Sequence, residues 1–294
     1  MGLNVPAHYV TQYSTNVQLL LQQKGSKLRD TVSIGMHTGE AAVPVEQIGA
    51  IEAKVRAGRG APVVFTDSPE TRRWVYPTDY DTDAEIVDSA DKLRMLIDPQ
   101  SSYVTNAVYA LGRKMDDVII AAATATSNIG KTGSSTEAFD TATYQVTGSI
   151  GGTNSGLNVA KLRRAKRMLE EAFVDLEQEQ PTLVISAKQH DDLLNEIQVV
   201  SSDFNPQPVL VDGMVTRFMG FNIKRSQRLT FSTTRRVLAY VKSGIHLGMW
   251  NDIKTDVSER ADLVGKPTQV YAMGTFGATR IEQGKVIEIL CYES

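Results

Sequence analysis

Apolar positions recur along the chain at two periods, and the change from one to the other divides it. Residues 7–24 (AHYVTQYSTNVQLLLQQK) carry Tyr9, Val10, Tyr13, Val17, Leu20 and Leu21 at three- and four-residue steps, which predicts one amphipathic helix ended by Gly25 and Ser26. Its stripe must dock, on the chain's own body or on a neighbour. The same period returns over Ser101–Thr126, with Tyr103, Ala107, Leu111, Met115, Val118 and Ile119 on one face. At 1.5 Å per residue that helix is about 38 Å long. Asn158–Glu177 predicts a further helix with Val159, Leu162, Ala165, Met168, Leu169 and Phe173 on its apolar side, and Lys188–Ile197 a short one.

Between the first two helices the pattern is alternating and rich in β-formers, at Thr31–Met36, Val63–Thr66 and Arg72–Tyr76. Glycines and prolines punctuate it. About fifty residues with so little core-forming density are too many for an ordinary loop. They predict a long two-stranded arm, which is marginal in water without a partner surface. After Pro181 the strands follow: TLVISA, then Val209–Val211, Asn222–Lys224, Arg236–Lys242 and Ile245–Met249, and finally VYAMGTF, ATRIE and KVIEILCYE. The fold class is α+β rather than an alternating β-α-β series. Residues 126–156, built of Thr, Ser, Gly and Asn, predict a mobile or extended surface loop with a strand near Tyr144–Ile150.

Composition narrows the function classes. A net charge of −3 over 294 residues argues against a strong electrostatic grip on nucleic acid, which needs a basic surplus. The single cysteine, Cys291, excludes an internal disulfide and any multi-cysteine metal site, and reads as a small buried residue on a terminal strand. No basic and apolar leader opens the sequence and no run of 18 apolar residues occurs, so a soluble product without a membrane partner is expected.

Candidate chemistry is sparse. Gly130-Lys131-Thr132 matches the tail of a phosphate-binding P-loop, but Ala125 stands where the first glycine belongs and the helix precedes the motif instead of following it. A nucleotide-binding enzyme using this loop is a remote alternative. The glycine cluster at 148–156 misses the dinucleotide pattern. His8, His37, His190 and His246 show no metal spacing, and the acidic pair Asp116/Asp117 fits a cation or a plain surface equally. No catalytic, metal or cofactor residue is assigned. Lys161, Arg163, Arg164, Lys166 and Arg167 are read as the polar side of the 158–177 helix, followed by Glu170, Glu171, Asp175 and Glu177. Cations first and anions last oppose the helix dipole, which hints at a partner. On the arm, Arg56, Arg59, Arg72 and Arg73 interleave with Glu46 and Glu52. With Trp74 they are the candidates for contacts between subunits, since mixed charge suits subunit pairing better than nucleic-acid grip.

The order of these elements, with the stretches VYALGRKMDDVIIAAATA, LVISAKQHDDLLNE and VYAMGTFGATRIEQGKVIEI, resembles the major capsid proteins of tailed double-stranded-DNA bacteriophages, with the Hong Kong 97-type fold, over essentially the whole chain. The resemblance implies an N-terminal arm at 1–29 and an extended β-hairpin E-loop at 30–80. It implies a P-domain at 81–155 around the spine helix 101–126, a helix and A-domain at 156–245, and strands at 246–294 returning to the P-domain. It further implies pentamers and hexamers of this chain closing an icosahedral shell. The implied partners are a scaffolding protein, a portal at one vertex, decoration proteins, and packaged double-stranded DNA held without sequence specificity. The implied location is the virion, after assembly in the host cytoplasm. An encapsulin-type cellular nanocompartment is the alternative within the same fold. Residues 31–76 are expected to be dispensable for a folded core.

Overall fold

The computed structural model describes residues 21–55, 58–59, 70–87, 100–150, 152–196 and 214–293. The predicted helix at 7–24 lies almost wholly outside them, as do the strands predicted at Val63–Thr66 and Val209–Val211. Arg56 lies outside them too. Two compact units emerge, one from 79–113 and 253–274 with the described residues before Ser26, the other from Ser26–Thr78, Lys114–Asp252 and 275–294.

The strands in chain order are β1 (Ser33–Met36), β2 (Ala42–Ile48), β3 (Glu70–Val75), β4 (Thr78–Asp81), β5 (Glu85–Val87), β6 (Ser127–Ile129), β7 (Ser135–Glu137), β8 (Gln145–Val146), β9 (Ser149–Ile150), β10 (Thr153–Asn154), β11 (Thr182–Ile185), β12 (Arg217–Phe218), β13 (Phe221–Arg225), β14 (Arg235–Tyr240), β15 (Ile245–Glu259), β16 (Thr268–Arg280) and β17 (Val286–Cys291). The helices are α1 (Gln100–Thr124), α2 (Thr141–Tyr144), α3 (Val159–Glu171) and α4 (Ala187–Leu194). Among the described residues no helix is long and apolar enough to cross a membrane.

In the smaller unit, β5 pairs antiparallel with the start of β16, Val87 opposite Thr268 and Glu85 opposite Val270. Thr82 reinforces the edge: its N–H donates to Ala272 O and its hydroxyl accepts from Ala272 N–H, both at 2.9 Å. The Arg113 guanidinium donates to the Gln22 side chain at 2.6 Å and to Gln23 O at 3.2 Å, tying the entering chain to the first half of α1.

The larger unit is built on a six-stranded sheet ordered β12-β13-β11-β14-β17-β8. It is mixed: β11 runs parallel to β13 and antiparallel to β14. Every residue of β11 is buried, as are Val237–Tyr240 of β14 and Val286–Ile289 of β17. Near-continuous apolar runs of this kind belong to a sheet covered on both faces. The helix α3 lays Leu162, Ala165, Met168 and Leu169 on the core. At the entry to this unit, buried Asp116 of α1 accepts from the Ser26 hydroxyl at 2.5 Å and from the amides of Lys27 and Leu28. Its neighbour Asp117 forms a two-point ion pair with Arg228. The carboxylate pair is therefore split between a backbone cap and an ion pair.

Several sequence expectations are corrected. The 126–156 segment is ordered secondary structure: β6 and β7 form a hairpin, and α2, β8, β9 and β10 follow. Its threonines and serines tolerate extended backbone, and the edge of β3 supplies the missing partner for β6. The third helix stops at Glu171. Val174 N–H donates to Leu169 O, and Phe173 takes a left-handed φ of 58°, which swings its ring out of the predicted apolar face into solvent. Lys161, predicted on the polar side, is fully buried. Nor is the segment 31–76 separable from the core. Thr31, Val32 and Val75 are buried, and β1 pairs in parallel with β15, Ile34 opposite Leu247.

Candidate functional site

The arm predicted from residues 30–80 has a paired root. Strands β2 and β3 run antiparallel, Val45 opposite Arg73, Glu46 opposite Arg72 and Ile48 opposite Glu70, after an irregularity between Ala42 and Val45 that includes Pro44. Cross-strand neighbours on one face lie within side-chain reach, and Arg72 Nε duly meets Glu46 Oε1 at 2.8 Å. β3 continues into β6 and β7, completing a four-stranded sheet.

Of the candidate contact residues, this geometry gathers Glu46, Arg72, Arg73 and Trp74 on the hairpin. Arg73 is buried and its guanidinium pairs with Glu137 of β7. The Trp74 indole N–H donates to Gly130 O at 2.7 Å. Glu52 and Arg59 stand exposed further along the arm, outside the paired strands. Beyond Ile48, Ile51 is 69% exposed and Val55 98% exposed, while Ile48 itself is 70% exposed. The root is thus tied by charge and hydrogen bonds, whereas the distal arm carries bare aliphatic side chains.

Beneath the root lies a cluster that the sequence reading missed. Arg280, fully buried at the end of β16, donates to Ala123 O at 3.0 Å and Ala125 O at 2.7 Å. Those carbonyls lie in the last turn of α1 and one residue past its end, where the helix supplies no partner, and a cation there also suits the helix dipole. Its guanidinium lies 5.1 Å from the Phe139 ring centroid. Burial pushes the guanidinium pKa down to about 10, with Glu137 opposing and Arg73 adding to the shift. The signal was legible: Arg280 shares the even parity of the inward residues Val270, Ala272 and Phe276 on one strand. Lys161 was legible in the same way, since it stands four residues before Ala165 and eight before Leu169. Its ammonium donates to Gly148 O at 2.9 Å, Ser155 O at 2.6 Å and Leu290 O at 2.9 Å, and burial holds its pKa below the usual lysine range.

The loop holding Gly130-Lys131-Thr132 is the turn of the β6–β7 hairpin. Gly130 and Gly133 adopt φ of 87° and 74°, which side chains other than glycine rarely take. A Cβ at Gly133 would also press on Trp74 at 3.0 Å. Lys131 is exposed, and α2 is separated from the motif by all of β7. The glycine–lysine spacing reflects turn chemistry, with no helix N-terminus at Thr132 to hold a phosphate.

At the base of the arm two histidines meet. His37 Nε2 and His246 Nε2 are 2.9 Å apart, and the Ser33 hydroxyl lies 3.0 Å from His246 Nδ1. Burial first, and His37 second, hold the His246 pKa down at about 4, so the pair is neutral near pH 7. Burial pushes the Cys291 thiol up to about 12, which leaves it without nucleophilic thiolate. Among the described residues no cluster of His, Cys, Asp and Glu has the makings of a metal site.

A family model described as phage capsid protein matches residues 5–293. Solved structures share the fold. The capsid of cyanophage P-SCSP1u superposes with a TM-score of 0.76 at 15% identity, covering 98% of this chain and 94% of that one. The capsid of cyanophage Pam1 gives 0.75 at 13%, covering 98% and 97%. A subunit from the capsid of a native GTA particle gives 0.70 at 10%, covering 99% and 100%. No curated protein matches the chain. A mixed helix-and-sheet architecture shared along nearly the full length with capsid subunits, and a family match spanning almost every residue, lead to one conclusion: this chain belongs to the phage capsid protein family.

Proposed function

We propose that this chain is the major capsid protein of a tailed phage, assembling as pentamers and hexamers into an icosahedral shell around double-stranded DNA. The observation that carries the reading is the arm. Its root is tied into the subunit through Arg73, Glu137 and Trp74, while Ile48, Ile51 and Val55 remain exposed. Side chains of that kind lose water only against another molecule, and burying each fully is worth roughly 1.5–3 kcal/mol. In this reading the arm lies over a neighbouring subunit as an E-loop, with Glu46, Glu52, Arg56, Arg59 and Arg72 setting its register by charge.

In the same reading, residues 1–29 form an N-terminal arm, 81–155 with 246–294 a P-domain around α1, and 156–245 the A-domain. Assembly takes place in the host cytoplasm with a scaffolding protein, a portal occupies one vertex, and the shell has structural work and no catalytic step. The modest net charge of −3 suits a wall that must enclose DNA without gripping it tightly. Negative-stain microscopy and sedimentation of the expressed full chain test the proposal. Closed shells or capsomer rings are expected, and a protein that stays monomeric at every concentration, with its scaffolding protein supplied, would overturn it.

A further inference from the structure

Helix α3 carries a feature that the arm does not use. Its outer side divides by charge: Arg163, Arg164, Lys166 and Arg167 line a concave surface together with Ile150 and Ala160, and Glu170 closes its acidic end. Arg167 is partly matched by Glu171 at 3.2 Å, but among the described residues Arg163, Arg164 and Lys166 take no ion-pair partner. Immediately beyond lie Glu170, Glu171, Asp175 and Glu177, all exposed. In their midst stands Phe173, 97% exposed and at a φ of 58°.

This arrangement is costly to the isolated subunit in three ways. A bulky residue in the left-handed region is a conformational outlier at a position where glycine is the usual occupant. A phenyl ring in water forgoes its burial. Cations toward the start of a helix and anions at its end oppose the dipole. The lost burial and the opposed dipole are both offset if the acidic end meets a basic, partly apolar groove, with the left-handed backbone holding the ring out for it, and this chain presents such a groove one and a half turns away. Nucleic acid fits the basic half alone, because phosphates would repel the four carboxylates around the ring.

We propose that the acidic end of α3, with Phe173 as its anchor, seats in the Arg163–Arg164–Lys166 groove of a second copy of this chain. The contact joins two different patches, and made in one direction around the ring it is head-to-tail, the kind that closes. Phe173 would lie over an arginine face with Ile150 beneath it, joining apolar burial to a cation–π contact. The proposal rests on the shell reading and names a contact within it.

Substituting Phe173→Gly separates this role from a structural one, because the two predict opposite signs. In unassembled subunits the glycine relieves the backbone, and the folded-to-unfolded ratio should rise about fivefold in urea titration. The concentration needed for assembly of the full chain, measured by sedimentation, should rise at least about tenfold. Arg164→Ala should also raise it, and the double variant should raise it by less than the product of the single effects, because both act at one contact. Phe173→Tyr should assemble like the parent. Assembly of Phe173→Gly at the parent concentration overturns the proposal and leaves the shell reading intact, as do independent, multiplicative effects. A parent chain that never assembles overturns both.

Discussion

The six-stranded sheet of the larger unit and the four-stranded sheet of the arm are built from similar lengths of strand and solve opposite problems. In the first, β11, Val237–Tyr240 of β14 and Val286–Ile289 of β17 are largely apolar and buried on both faces. In the second, β2 has no buried residue, and the sheet's buried members are Arg73 and Val75 of β3 and Ser127 of β6 rather than a hydrophobic layer. One sheet is held by hydrophobic burial and needs nothing further. The other is pinned at one edge by ions and an indole and leaves its aliphatic side chains uncovered. The difference teaches that the stability of the subunit and the stability of the assembly are stored in separate parts of the sequence.

The contrast can be attacked from either side. The largest effects belong to the buried cations that anchor the arm sheet and the body. Arg280→Ala strips the α1 carbonyls Ala123 O and Ala125 O of their donor, and should cost about 3–5 kcal/mol in urea unfolding. Lys161→Met removes the ammonium that three carbonyls share, although Gly148 O keeps the Ser155 N–H and Ser155 O keeps the Tyr292 N–H, and should cost about 2–4 kcal/mol. A loss under 1 kcal/mol in either would mean that burial, not the cation, holds the region.

Next comes pH. The His246 pKa is about 4 in the fold against about 6.5 for a free imidazole, so the unfolded chain binds the proton first. Stability is complete above about pH 6.5 and falls as pH drops toward 4, by up to roughly 3 kcal/mol. Urea midpoints at pH 7.5 and 4.5 measure this, and His246→Gln should flatten the part of the slope that belongs to this site. The smallest subunit effects belong to the arm surface. Arg72→Ala breaks an ion pair exposed on both sides and should change subunit stability by less than about 1 kcal/mol. Ile48→Asp should leave it within about 0.5 kcal/mol and yet suppress assembly.

The sequence was readable wherever period and burial agree. Leu111, Met115 and Ile119 locate α1 to within two residues, and TLVISA and KVIEILCYE mark β11 and β17, because long apolar runs have few alternatives. It was less readable where tertiary partners override composition. The Thr/Ser/Gly stretch after Ala125 reads as loop, yet β3 offers Ser127–Ile129 an edge and turns it into strand. Phe173 obeys helical spacing, but the helix ends two residues before it, and no local residue announces that stop. Lys161 and Arg280 sat at inward positions in both patterns, and only their charge argued for the surface. Their inward spacing was legible, but the distant carbonyls that satisfy them, of residues such as Leu290 and Ala123, follow from no local rule.

The account turns on whether the distal arm serves the assembly rather than the subunit. Ile48 and Glu70 are register partners across β2 and β3, so residues 49–69 can be replaced by a two-residue Asn-Gly turn without disturbing the root. Negative-stain microscopy of that variant, set beside its urea midpoint, is the most direct measurement. The predicted result is a subunit with an unchanged midpoint that forms no closed shells. Shells of parental size from the shortened chain would contradict it.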